Sequence, residues 1–288
     1  MTGRALLARL LAHEGVNFAL TNRIPRRALT LLMARFSRIE TPWVRDCSIG
    51  LWRRFSDLDL SDARKQRFTS LHDCFTRELR AGARRVDPEP RALVSPCDGI
   101  LGAHGVVRAG MALQAKDSWY PVEELLGERA AAERFEGGRF LTLRLTATMY
   151  HRFHAPQDCV LEGVRHFGGD VWNVNPAALR RVSRLFCRNE RARLDCRLDR
   201  GGQLIALVPV AAVLVAGIRL HCLPDGLSLR QRGPARLECR EALRRGQEMG
   251  WFEHGSTIIL FVPRGFELCA GLSQGRRVRM GQALLTGP

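Results

Sequence analysis

The sequence predicts an α+β fold, with amphipathic helices over residues 1–85 and a β-rich core over residues 86–288. Three observations carry this. Apolar residues recur at helical spacing before residue 85. Beyond a Pro- and acid-rich stretch, short Val/Leu/Ile runs punctuated by Gly and Pro take over. The helices precede the strands and do not alternate with them, which disfavours βαβ units. At 288 residues and 45% hydrophobic content, the chain can bury one large core and carry a helical appendage.

Taken in order, Leu6, Leu7, Leu10 and Leu11 form a first apolar stripe. Leu29, Leu32, Met33 and Phe36 share the face of a second helix, with Pro25 in its first turn and Arg27, Arg35 and Arg38 on the other side. Such a helix either packs on its own domain or lies in a membrane interface with its arginines toward anionic headgroups. A third helix is expected over Leu71–Leu79, capped by Ser70, with Phe68, Leu71, Phe75 and Leu79 facing inward. Val86-Asp87-Pro88-Glu89-Pro90 reads as a linker. Strands are expected at Ala92–Val94, Ile100–Val107, Phe140–Leu145, Val160–Phe167, Leu204–Val208, Ala211–Ile218, Ile258–Val262 and Ala283–Leu285. Pro176–Phe186 is the one clear helix of this half.

Net charge is +16, nearly all from arginine, since Lys65 and Lys116 are the only lysines. This suggests an anionic partner, and the lack of a binding motif or long basic run argues against nucleic acid. The nine cysteines contain no Cys-x-x-Cys pair and no zinc spacing. Together with the absence of a signal peptide, they suggest reduced thiols on the cytoplasmic side and no metal site. The longest uncharged run, Leu204–Ile218, is short for a membrane span and contains Pro209, so two buried strands are expected there.

Three stretches hold candidate chemistry. Ser95-Pro96-Cys97-Asp98-Gly99 is a turn with an acid at its tip. Tyr150-His151-Arg152-Phe153-His154-Ala155-Pro156 holds two histidines three apart. Gly255-Ser256-Thr257 places a hydroxyl beside a peptide bond where a strained turn is cheapest. Asp, His and Ser are the parts of an activated serine. Each stretch also has a plain structural reading as a turn, a packed histidine or a Gly-Ser turn before a core strand.

Together these motifs resemble the phosphatidylserine decarboxylase proenzymes, in their bacterial membrane-associated form. The resemblance runs from about Phe68 to Leu285. It includes Gln114-Ala115-Lys116, Asn173-Val174-Asn175 and Gly246–Phe252 leading into Gly255-Ser256-Thr257. The sequence departs from the family pattern at His254, where leucine is usual. The resemblance implies self-cleavage at Gly255–Ser256, giving a β chain 1–255 and an α chain 256–288 that begins with a pyruvoyl group made from Ser256. Asp98 and His154 match the acid and base of cleavage, and His151 matches a histidine of decarboxylation. It further implies a heterodimer of the chain's own α and β pieces, a further homo-oligomer, phosphatidylserine as substrate and a peripheral place on the cytoplasmic face of the cell membrane.

The residues agree with that chemistry. Loss of carbon dioxide from an amino acid leaves electrons that need a sink. Pyridoxal phosphate would need a lysine, whereas a pyruvoyl ketone does not. Two rivals are a serine hydrolase using Asp98, His154 and Ser256 without self-cleavage, and a non-catalytic module. The hydrolase elbow Gly-x-Ser-x-Gly is absent, because His254 and Ile258 stand at its glycine positions. The Pro-x-Asp-Gly turn and the closing Val278–Leu284 stretch are similar to barrel-sandwich carrier domains, a likeness of core fold more than of function.

Overall fold

In the computed structural model, residues 14–214, 217–223, 236–253 and 256–288 are described. The stripe at Leu6–Leu11 lies outside them. The described chain opens with helices α1 (Glu14–Asn22), α2 (Arg26–Phe36), α3 (Pro42–Phe55) and α4 (Leu71–Phe75). Strands β1 (Ala92–Val94) and β2 (Gly99–Val106) follow, then a hairpin of β3 (Met111–Ala115) and β4 (Ser118–Pro121). Short helices α5 (Val122–Leu126) and α6 (Arg129–Glu133) lead to β5 (Arg139–Arg144), β6 (Arg152–His154) and β7 (Cys159–Phe167). Next come α7 (Pro176–Arg181), α8 (Leu185–Arg188), β8 (Arg191–Leu198), β9 (Leu204–Ala211) and β10 (Ile218–Leu220). The rest is β11 (Arg236–Leu237), β12 (Glu241–Leu243), β13 (Glu248–Phe252), β14 (Ser256–Val262), β15 (Glu267–Leu268), β16 (Arg277–Val278) and β17 (Ala283–Thr286).

The α+β class holds, with a β-rich core and no closed barrel among the described residues. The main sheet runs β11-β7-β8-β9-β14-β5-β2-β16, with β12 also on β7. Strand β14 is central, antiparallel to β5 on one side and β9 on the other. Its unbroken apolar run has a physical cause, since alternate side chains enter two different cores. Ile258, Leu260 and Val262 join one core, walled by the small sheet β10-β13-β6 and by strands β1 and β17. Ile259 and Phe261 join the other, covered by α5 to α8 and the β3–β4 hairpin.

Three expectations need correction. The run Leu204–Ile218 does not split at Pro209, because β9 passes through it. The β8–β9 ladder pairs Arg191 with Val210 and Leu194 with Leu207, and skips the step between, where proline offers no N–H. The helix over Pro176–Phe186 is two helices, with Arg184 at φ +54° before the second. Buried Gln114 intercepts the backbone at the break. Its amide donates to the Leu179 and Val182 carbonyls at 2.7 and 2.9 Å, and its Oε1 accepts from the Leu185 N–H at 2.7 Å. Finally, α4 ends at Phe75, not Leu79. Ser70 caps it as expected, accepting from the Asp73 N–H, but Leu79 instead bridges to Ala63.

The N-terminal helices are tied to the core by polar contacts. Arg26 pairs with Asp170 at 2.7 Å and stacks over Trp172, and the Thr30 hydroxyl accepts from the Leu214 N–H. The apolar face of α2 does not turn into the protein: Leu31, Leu32 and Phe36 are exposed, and Trp43, Leu51 and Phe55 of α3 continue the patch. No helix among the described residues is long and apolar enough to cross a membrane.

Candidate active site

Ser256 opens β14 opposite Ala211, and the next residue, Thr257, lies opposite both Val210 and Arg144. His254 and Gly255 lie outside the described residues. The approach to them is β13, which belongs to the other sheet, between β10 and β6. Gly250 is needed there, because a Cβ would sit 2.0 Å from the Arg219 carbonyl oxygen. The Gly255–Ser256 bond therefore falls where the chain crosses from one sheet into the centre of another.

His154 ends β6 and His151 immediately precedes that strand, beside this approach. The His151 carbonyl accepts from the Phe252 N–H at 3.0 Å. His154, at the far end of β6, pairs in register with Glu248. His154 is buried, and both its ring nitrogens are engaged. Nδ1 lies 2.9 Å from the Gly246 carbonyl oxygen, and Nε2 lies 3.0 Å from the Tyr150 hydroxyl. A carbonyl can only accept, so Nδ1 carries the proton and Nε2 accepts from Tyr150. Burial holds the imidazole below its ordinary pKa, with the Gly246 hydrogen bond acting in the opposite sense. The ring is thus neutral at physiological pH. Gly246 suits its place on two grounds: its φ is +79°, and a Cβ would meet Val86 at 2.7 Å.

Asp98 is brought near His154 but not into contact with it. The His154 N–H donates to the Pro96 carbonyl at 2.7 Å, which ties β6 to the Asp98 turn. The Asp98 carboxylate itself accepts from Arg84 Nη2 at 2.6 Å and Nε at 2.9 Å, and from the Met280 N–H at 2.9 Å. Arg84 also reaches Asp62 at 2.8 Å. Burial acts to lower the Arg84 pKa, but the two carboxylates raise it overall, so the charge is permanent. Orientation of His154, expected from Asp98, is supplied by Gly246 and Tyr150.

His151 is fully buried, and its ring stacks on Phe75 at 3.9 Å. Phe75 in turn stacks on Trp52 of α3 at 5.9 Å. These two aromatics line an open cavity of about 1040 Å³, bounded on the helical side by Phe36, Trp43, Leu51 and Phe55. Its inner end is formed by Arg144 and Leu145 from the end of β5, Asn173 to Asn175, and Ala212 to Leu214. It is mostly apolar, opens at the exposed face of the helices, and ends at the strands that flank Ser256.

A family model described as phosphatidylserine decarboxylase matches residues 71–286. The chain belongs to the phosphatidylserine decarboxylase family. A protein from Xanthomonas campestris pv. campestris (strain B100), named phosphatidylserine decarboxylase proenzyme, is 36% identical over 275 residues, 92% of this chain and 96% of that one. Proteins of the same name from Xylella fastidiosa (strain M12) and Brevibacillus brevis are 34% and 32% identical, over 92% and 93% of this chain and 92% and 96% of their own lengths.

Within this family member, several site residues escaped sequence reasoning. Arg84 looked like one basic residue among many before the linker, because its partner lies fourteen positions away. Tyr150 stands inside the histidine motif, and its adjacency to two histidines was the available signal. Glu253 is buried two residues before Gly255, held by Arg38 at 2.8 Å and Arg219 at 3.0 Å. Helix α3 had a readable start in Thr41-Pro42 and an apolar face in Trp43, Cys47, Leu51 and Trp52.

Proposed function

We propose that this chain is a proenzyme that cuts itself between Gly255 and Ser256 and then decarboxylates phosphatidylserine at a membrane surface. One observation carries the reading. The strands that flank Ser256 reach the wall of a large apolar cavity through Arg144 and Ala212, and Phe75 in the same wall stacks on buried His151. The cleavage begins with attack of the Ser256 hydroxyl on the Gly255 carbonyl, His154 taking the proton. An N-to-O acyl shift gives an ester. Elimination releases the Gly255 carboxylate and leaves dehydroalanine, which takes up water and loses ammonia. The pyruvoyl group so formed supplies an electron sink for decarboxylation.

The chain's own residues do the rest. The Asp98–Arg84 pair fixes the turn that holds the backbone of His154. His151, packed on Phe75 at the cavity wall, returns a proton to the substrate's α-carbon. The cavity receives the lipid's apolar part. Exposed Leu32, Trp43 and Leu51, with Arg35, Arg38 and Arg45 nearby, hold the enzyme peripherally on an anionic bilayer. On this reading residues 1–85 serve the membrane and residues 86–288 the chemistry.

The test is the intact mass of the purified protein and of Ser256→Ala. Wild type should give fragments 1–255 and 256–288, the latter one ammonia lighter than simple hydrolysis leaves it, and should release carbon dioxide from phosphatidylserine. Ser256→Ala should stay one chain. A wild-type protein that stays uncleaved with Ser256 intact would sink the proposal.

A further inference from the structure

Arg144 is the cation that the cavity leaves unanswered. It ends β5, directly opposite Thr257 and so one residue from Ser256 along β14. Its side chain lines the apolar cavity. Other site arginines are committed: Arg84 to Asp98 and Asp62, Arg152 to Glu248, Arg219 to Glu253. The Arg144 side chain makes no ion pair or hydrogen bond to any described residue. Burial is the one influence on its pKa, which it lowers, and no carboxylate offsets it. A half-buried guanidinium without a counter-ion costs folding energy, and such a cost persists where a ligand supplies the anion.

From this placement we infer that Arg144 binds the phosphodiester of the lipid substrate, fixing the headgroup relative to residue 256. The inference rests on the proposed reaction and adds a residue to it. A planar guanidinium offers two parallel donors to a phosphate. The headgroup also carries a carboxylate, but a cation on that group would stabilise the anion that must leave, and so oppose the reaction. The phosphate keeps its charge throughout, so binding it costs the chemical step nothing.

The experiment compares wild type with Arg144→Gln and Arg144→Lys on short-chain phosphatidylserine in neutral detergent micelles. Intact mass is recorded first. Both variants should self-cleave as wild type does, since Arg144 takes no part in that step. Arg144→Gln should raise KM about tenfold to a hundredfold, with kcat within about threefold of wild type. Arg144→Lys should recover part of the loss. Wild type should also prefer phosphatidylserine over its neutral phosphotriester, and Arg144→Gln should lose that preference. Wild-type KM and retained discrimination in Arg144→Gln would overturn the inference. So would a fall in kcat alone, which would place Arg144 on the reacting group. If Arg144→Gln fails to fold, the lysine variant decides: a KM raised severalfold with some preference for the charged substrate kept supports a phosphate contact, and a wild-type KM refutes it. Wild type inactive on phosphatidylserine would fail the proposed function itself, a separate result.

Discussion

Replacing Tyr150 with phenylalanine isolates the hydrogen bond on the base nitrogen of His154. The hydroxyl donates to Nε2 at 3.0 Å in a buried setting. That bond favours the neutral ring, and a buried neutral hydrogen bond contributes about 1 kcal/mol net. At 1.36 kcal/mol per unit, its loss should raise the His154 pKa by roughly 0.7. Burial already holds that pKa below 6.5 in the native protein, so the change moves it back toward the ordinary value. The sign for stability follows. The unfolded histidine takes its proton first as pH falls below about 6.5, while the folded ring resists. Stability is therefore full above that pH and is lost as pH falls through the depressed folded value. Tyr150→Phe should narrow that window. The assay is self-cleavage of freshly synthesised chain, followed by intact mass from pH 4.5 to 8. The acid limb of the rate should move up by roughly half to one unit. An unmoved limb, or one moved down, would show that Tyr150 does not donate to the catalytic nitrogen.

Other perturbations test the surroundings. Arg84→Gln breaks a buried pair and should cost about 3–5 kcal/mol in urea unfolding. It should also slow cleavage, as should Asp98→Asn, and normal cleavage would separate the pair from the reaction. Glu253→Gln removes the buried anion between Arg38 and Arg219, and should lower the melting temperature, as breaking a buried pair does, and slow cleavage about tenfold in an intact-mass time course; an unchanged rate would make the clamp irrelevant to cleavage. Trp43→Glu with Leu51→Glu removes two exposed apolar anchors, each contributing about 2 kcal/mol on burial, or roughly thirtyfold in affinity. Sedimentation with phosphatidylglycerol vesicles should drop toward background, and full retention would place the membrane face elsewhere.

What was legible in the sequence was whatever depends on local order. The α+β class followed from helix-period apolar residues before residue 85 and strand-like runs after it. Strand β1 has the expected ends, Ala92–Val94. Strand β14 was visible because both its faces are buried, which makes the run continuous. What was hidden depends on partners distant in the chain. Nothing near Pro176 announces that Gln114 will break the helix there. Pro209 reads as a strand end unless β8 is known to skip that step. The Asp-His-Ser set was assembled from residue types, and those types allowed a direct Asp98–His154 contact. Only the fold shows Arg84 taking the carboxylate while Gly246 and Tyr150 take the ring.

On the proposed self-cleavage, the position of the Gly255–Ser256 bond lets the cut chain remain folded. The 33 residues after the bond contribute β14, β15, β16 and β17, which are woven into sheets from the longer piece. Strand β14 lies between β5 and β9 with six register pairs on each side. Strand β16 pairs with β2 and β17 with β1. The Met280 N–H further binds Asp98, and Ser95 exchanges backbone hydrogen bonds with Gly281 and Gln282. On the other side, β13 is held by β10 and β6. Cutting between β13 and β14 severs a link between two sheets and no ladder within either. Ile258 to Val262 are completely buried, and at about 1.5–3 kcal/mol for each large side chain their release alone would cost on the order of 10 kcal/mol. The two fragments should therefore co-elute on gel filtration without denaturant, and separate only across the same urea transition that unfolds the uncleaved Ser256→Ala chain. Release of the small fragment well before that transition would mean that β14 is not held as the sheet register requires.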